Sequence, residues 1–120
     1  MPQSEIVFYK EEETVLFEQW LFTLPAKVQA KCLSQIRLLR SHGHELRRPI
    51  ADFLRDGIYE LRPTYQGVHY RILYFFSGKN IVVISHGLSK ESKVPAVEIN
   101  KALERRKAYE ANPKAHGWKG

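Results

Sequence analysis

"YELRPTYQGVHYRILYFF", Tyr59 to Phe76, decides the fold. Its β-branched and aromatic content reads as two strands around a turn, Ile58–Pro63 and Val68–Phe76. Glu60, Arg62 and Arg71 stand where a strand would ordinarily bury Val or Leu. "SGKN" (77–80) follows as a tight hairpin turn, and Asn80–His86 reads as a third strand.

Side chains alternate along a strand, so pairing can be guessed from which residues must share a face. A two-residue turn at Gly78 and Lys79 sets Arg71 opposite His86. Pairing apolar residues across the first two strands sets Glu60 opposite Arg71, Ile58 opposite Leu73 and Tyr59 opposite Ile72. Glu60, Arg71 and His86 then form a row on one face, with Arg62 two residues along. Leu73, Phe75, Val82 and Ile84 continue that face, while Tyr59, Leu61, Tyr70, Ile72, Tyr74, Ile81 and Val83 face helices. A cross-strand Glu60–Arg71 ion pair, worth roughly 0.2–1 kcal/mol, and a hydrogen-bonded core histidine at 86 would give the same pattern without any activity.

Outward from this core, "EIVFY" (5–9) reads as a short strand. Glu11–Glu13 suit the positive start of a helix running to about Phe22. Pro25 suits the first turn of a second helix, whose core stripe is Val28, Cys32, Ile36 and Leu39. Gly43 ends it, and the two helices are expected as an antiparallel hairpin. "ELRRPIADFLRDG" (45–57) reads as a connector, and a last helix runs from Pro95 to about Ala111. The fold class is therefore α+β: a small, mostly antiparallel four-stranded sheet, an N-terminal helical hairpin and a C-terminal helix. Residues 1–112 are expected as a single domain and 113–120 as a flexible tail.

The chain has 120 residues and a net charge of +6. Residues 1–57 balance eight Lys/Arg against eight Asp/Glu, whereas residues 58–120 hold eleven against five. That asymmetry points to a polyanionic partner for the C-terminal half. The one cysteine, Cys32, cannot form an internal disulfide. No run approaches the roughly 18 apolar residues of a membrane span, and the start does not resemble a signal peptide. The expectation is a cytoplasmic protein without a membrane partner. His42 and His44 lack a partner for a metal site, and no cofactor motif is present.

"IYELRP", "YRILYFF" and "VVISHGLSKESKVPAVEINKAL", in that order and spacing, resemble the HigB-like, phage-derived host-inhibition toxins of the RelE/ParE toxin–antitoxin superfamily, over about residues 5–112. The resemblance implies a RelE/ParE-like fold and the toxin of a type II toxin–antitoxin system. It implies a ribosome-dependent mRNA endonuclease, an endoribonuclease working without metal that inhibits translation. Its partners would be mRNA, the ribosome and a HigA-like helix-turn-helix antitoxin. By position it assigns Arg62, Arg71, His86, Lys90 and Lys93 to the catalytic site, with Glu60 as structural support or base. The arginines suit a phosphate, His86 suits acid or base work, and Tyr65 offers a ring for base stacking. Relatives carry lysine where this chain has Ser89 and threonine where it has Val94, and Glu91 adds a negative charge. Two alternatives stay open: a ParE-like DNA gyrase poison, and a catalytically inactive relative that acts by binding.

Overall fold

The computed structural model describes residues 3–89 and 93–120. Among the described residues eight strands make one sheet: β1 (Glu5–Glu11), β2 (Thr14–Val15), β3 (Ala51–Arg55), β4 (Ile58–Leu61), β5 (Thr64–Tyr65), β6 (Val68–Ser77), β7 (Ile81–Ser89) and β8 (Gly117–Trp118). The main path runs β2-β1-β7-β6-β4-β3, with β5 on β6 and β8 on β1. Among the described residues only β1 and β7 pair in parallel. The helices are α1 (Leu16–Leu21), α2 (Ala26–His42), α3 (Ala96–Ala111) and α4 (Pro113–His116). The α+β class holds, but the sheet is larger than the four strands expected. Among the described residues no helix is long and apolar enough to cross a membrane.

The extra strands come from segments read otherwise in the sequence. Glu11–Glu13 do not start a helix. Glu11 pairs with Thr14 and Lys10 with Val15, so the chain turns as a hairpin and α1 is left with six residues. The connector over 45–57 contains β3, joined to β4 by Asp56 and Gly57, both at positive φ (54° and 84°). Such a two-residue turn matches the twist of the flanking strands. The expected flexible tail instead forms α4 and β8. His116 stacks on Tyr9, and Trp118 pairs with Phe8.

Two cores sandwich the sheet. Phe17, Leu21 and the α2 stripe Val28, Cys32, Ile36 and Leu39 cover one face, meeting Ile72, Tyr74, Val82 and Ile84. Ile99, Ala102 and Tyr109 of α3 cover the other, meeting Ile58, Leu73, Phe75 and Val83. Val82, Val83 and Ile84 therefore face opposite to expectation. The hairpin loop has three residues, Gly78 to Asn80, because Ser77 pairs with Ile81. That single extra residue flips the side-chain parity of the outer part of β7.

A second irregularity reverses the flip. Tyr74 pairs with Ile84 but Leu73 with His86, so Ser85 is an extra residue in β7, a β-bulge. Beyond it His86 returns to the face of Leu73 and Arg71. His86 stands opposite Leu73, not Arg71, whose partner is Leu88. In the other pairing Glu60 faces Leu73, and Ile58 and Tyr59 face Phe75 and Tyr74. That register is displaced by an even number of residues, so the expected faces of β4 and β6 survive.

Gly87, just past the bulge, lies beneath the Trp20 ring, where a Cβ would overlap the indole. Gly87→Ala is expected to cost about 1–3 kcal/mol, read as a lowered midpoint in a denaturant melt at unchanged slope. An unchanged midpoint would mean that Trp20 does not seal this end of the sheet.

Candidate functional site

Glu60 is the centre of the charged group. Its carboxylate is buried at 3% exposure in β4. Arg62 Nη1 donates to Glu60 Oε2 at 2.7 Å, and Arg71 Nε lies 3.0 Å from Glu60 Oε1. Arg71 Nη1 also donates to the Tyr70 carbonyl at 3.2 Å. Strand geometry explains the clasp. Glu60 and Arg62 are two apart on β4 and its continuation, so they share a face. Arg71 shares that face from β6, reaching Glu60 diagonally rather than directly across.

Arg71 is buried at 4% exposure, whereas the Arg62 side chain is 24% exposed. One guanidinium is thus fixed in the sheet while the other reaches toward solvent. Together with Glu60 they line a hollow of about 230 Å³, whose other described walls are Arg48, Asp52, Leu54, Lys93 and Val94. Four cationic side chains face two carboxylates there. Asp52, opposite Glu60 on β3, is bound by Arg48 through Nε at 2.9 Å and Nη2 at 2.8 Å. That hydrogen bond, helped by the Phe53 N–H and the charge of Arg62, holds the Asp52 carboxyl below its ordinary range. The hollow is a positive recess with its anions already engaged, suited to an incoming anion such as a phosphodiester.

The structure therefore brings Glu60, Arg62, Arg71 and Lys93 together. Lys90 and Glu91 lie outside the described residues. Val94 packs beside the α3 core, and Pro95 holds the N-cap position of α3 without a side-chain cap. Tyr65 is half-buried on β5 against the α2-side core. Arg48 was missed in the sequence because it precedes β3, a strand read as connector.

His86 shares the sheet face but belongs to a different cluster. Its Nδ1 faces Arg105 Nη1 at 2.7 Å and Ser85 Oγ at 2.8 Å, and its Nε2 lies 2.9 Å from Glu98 Oε1. A guanidinium only donates, so Nδ1 accepts and Nε2 carries the proton given to Glu98. Burial, and then the charge of Arg105, push the imidazole from 6.5 down to about 4, against the pull of Glu98. Burial works to raise the Glu98 carboxyl, but hydrogen bonds from His86 and Lys101 hold it below its ordinary range. The imidazole is neutral at pH 7 and links the bulge to two turns of α3.

Among the described residues no group of three or more His, Cys, Asp or Glu is arranged to hold a metal ion.

Two outcomes follow from these geometries. Glu60→Ala leaves two guanidiniums facing each other, one of them buried, and is expected to cost about 3–5 kcal/mol in a denaturant melt. A loss below about 1 kcal/mol would reduce the clasp to a surface ion pair. The depressed pKa of His86 means that the unfolded chain takes up a proton first as pH falls. Its contribution is complete above 6.5 and is lost as pH falls toward about 4. The loss amounts to roughly 2–3 kcal/mol. Melting temperatures of the wild type should decline over that window more steeply than those of His86→Gln, and parallel curves would show that His86 does not titrate differently on folding.

No curated protein matches the chain. Residues 19–107 match the family described as Phage derived protein Gp49-like (DUF891). With that match spanning well over half its length, the chain belongs to the Gp49-like family, a family of RelE/ParE-like toxins.

Proposed function

We propose that this chain is the HigB-like toxin of a type II toxin–antitoxin pair, a ribosome-dependent endoribonuclease that cuts messenger RNA in the cytoplasm. A small HigA-like helix-turn-helix antitoxin neutralises it. The observation that carries this reading is the pair of guanidiniums held by Glu60 in a positive recess. Membership of a RelE/ParE-like toxin family supports it.

Cleavage without metal begins when the ribose 2′-oxygen attacks phosphorus. The P–O5′ bond then breaks, the 2′-hydroxyl having given up its proton and the leaving 5′-oxygen taking one up, which gives a 2′,3′-cyclic phosphate and a 5′-hydroxyl. Negative charge builds on the phosphate oxygens on the way. Arg62 and Arg71 meet that charge with donors already oriented by Glu60, so little reorganisation is needed as the reaction proceeds. Glu60 acts as the positioning residue, since both of its oxygens are engaged. Lys93 at the rim, and Lys90 by family resemblance, hold the RNA backbone or carry a proton. His86 takes a structural role in this proposal, because its neutral ring is committed to Glu98 and Arg105.

That commitment also favours a second reading, in which the chain cleaves nothing and acts by protein binding, as a ParE-like gyrase poison would. Induction in a bacterial host separates the two. Wild type should arrest growth and produce new 5′ ends inside translated messages, mapped by primer extension. Arg62→Ala leaves Glu60 its pair with Arg71 and should keep the fold while reducing cleavage about 10²–10³-fold. Arrest with intact messages and broken DNA would transfer the assignment to the gyrase reading.

A further inference from the structure

The charge count of the N-terminal half is zero, but the fold segregates the charges. Five of its eight carboxylates, Glu5, Glu11, Glu12, Glu13 and Glu18, fall on the β1–β2 hairpin and α1. Helix α2, seventeen residues long, contains Lys27, Lys31, Arg37 and Arg40 and no Asp or Glu. All four cations are exposed. None of the four side chains has a hydrogen-bonding or ion-pair partner among the described residues. Elsewhere, Arg48, Arg55, Arg62, Lys101 and Lys119 each pair with a carboxylate.

Helix stability alone would not choose this pattern. Lys27 sits in the first turn, where the helix end is positive and a carboxylate is preferred; α2 has no acidic residue there. Lys27 and Lys31 are four apart, a repelling spacing for like charges. Helix α3 provides the internal comparison. It carries Glu98 in its first turn and intersperses Glu104 and Glu110 among its cations. The α2 cations span some 20 Å along the axis at 1.5 Å per residue.

We propose that the outward face of α2 is a docking surface for the phosphate backbone of double-helical RNA. It lies across the sheet from the guanidinium recess, because α2 and α3 cover opposite faces. An evenly charged partner with phosphates along its whole length fits cations distributed over the full exposed arc. A protein partner would need a large apolar or aromatic anchor at the centre of the surface. The centre of this arc holds Ala30, Ser34, Arg37 and Ser41. The exposed leucines, Leu33 and Leu38, lie on opposite flanks and are only 39% and 37% exposed. The inference goes beyond the cleavage reading and does not depend on it.

The test is fluorescence anisotropy with a labelled RNA hairpin of about two helical turns, titrated over a series of KCl concentrations. Each phosphate neutralised contributes about 0.7–0.9 to the slope of log K against log salt. The variant K27Q/K31Q/R37Q/R40Q should lose about 3 from that slope, and bind at least tenfold more weakly at low salt. Lys107→Gln, exposed on α3 across the sheet and outside the recess, should retain the wild-type slope. The four positions are exposed, so a matching melting curve checks the fold, and R37E alone gives the same test with one change. An unchanged slope in both variants would overturn the proposal. So would unchanged RNA binding alongside lost binding to a polyglutamate peptide, which would assign the face to an acidic protein. If induced cells show no message cleavage while the hairpin results hold, the cleavage reading fails and this surface stands.

Discussion

The polar tie between β7 and α3 depends on one extra residue, Ser85. Strand β7 leaves its hairpin with Val82 and Ile84 facing α2 and Val83 facing α3. Without a bulge, His86 would continue the α2 face, at the end of β7 where Trp20 covers Gly87. With the bulge, His86 turns toward α3 and meets Glu98 and Arg105. The side of a strand is fixed by parity, so one inserted residue reassigns every residue beyond it. Helix α3 is thereby tied to β7 close to the segment that brings Lys93 and Val94 to the recess.

The guanidiniums in the sheet follow the logic of buried charge. A buried ion pair is weak evidence for stability, because desolvation offsets much of the attraction. Apolar residues at 60 and 71 would serve the fold as well. What the clasp provides is placement. Arg71 has little freedom at 4% exposure, and Glu60 engages both arginines at once. A cation prepared in this way can meet developing charge without first rearranging, which a free surface arginine cannot do. The neutral imidazole at 86 belongs to the same economy of burial: paired with Arg105 and Glu98, it leaves no uncompensated charge between β7 and α3.

Much of this was legible in the sequence. The core stripe of α2, the start and end of α3, the β6–β7 hairpin and the Glu60–Arg71 pair all follow from period, proline placement and alternation. Register was the weak point, for a physical reason. The pattern of apolar residues fixes faces modulo two, so β4 could slide by two residues against β6 without exposing anything. On β7 two single-residue errors, a longer loop and a bulge, cancelled at His86. Its face was therefore right while its cross-strand neighbour was wrong. Strand β3 had a signal that was passed over: Asp56-Gly57 between "FLR" and "IYEL" is a hairpin turn in sequence, and Arg48 would have come with it. The C-terminal strand had no such signal, since its two residues, Gly117 and Trp118, owe their conformation to pairing with β1 far away in sequence.

The charge on α2 was hidden for a different reason. Net charge summed over half a chain discards position, and position is what a polyelectrolyte reads. Five of the eight acidic residues of the first half lie on the β1–β2 hairpin and α1 and none on α2, so α2 keeps its cations unneutralised. A helix with a lysine in its positive first turn and a second lysine four residues on is held by the core beneath it, here Val28, Cys32, Ile36 and Leu39, all at most 4% exposed. That core decouples the outward face from helix stability. The face is then free to carry a charge pattern that only a partner would favour.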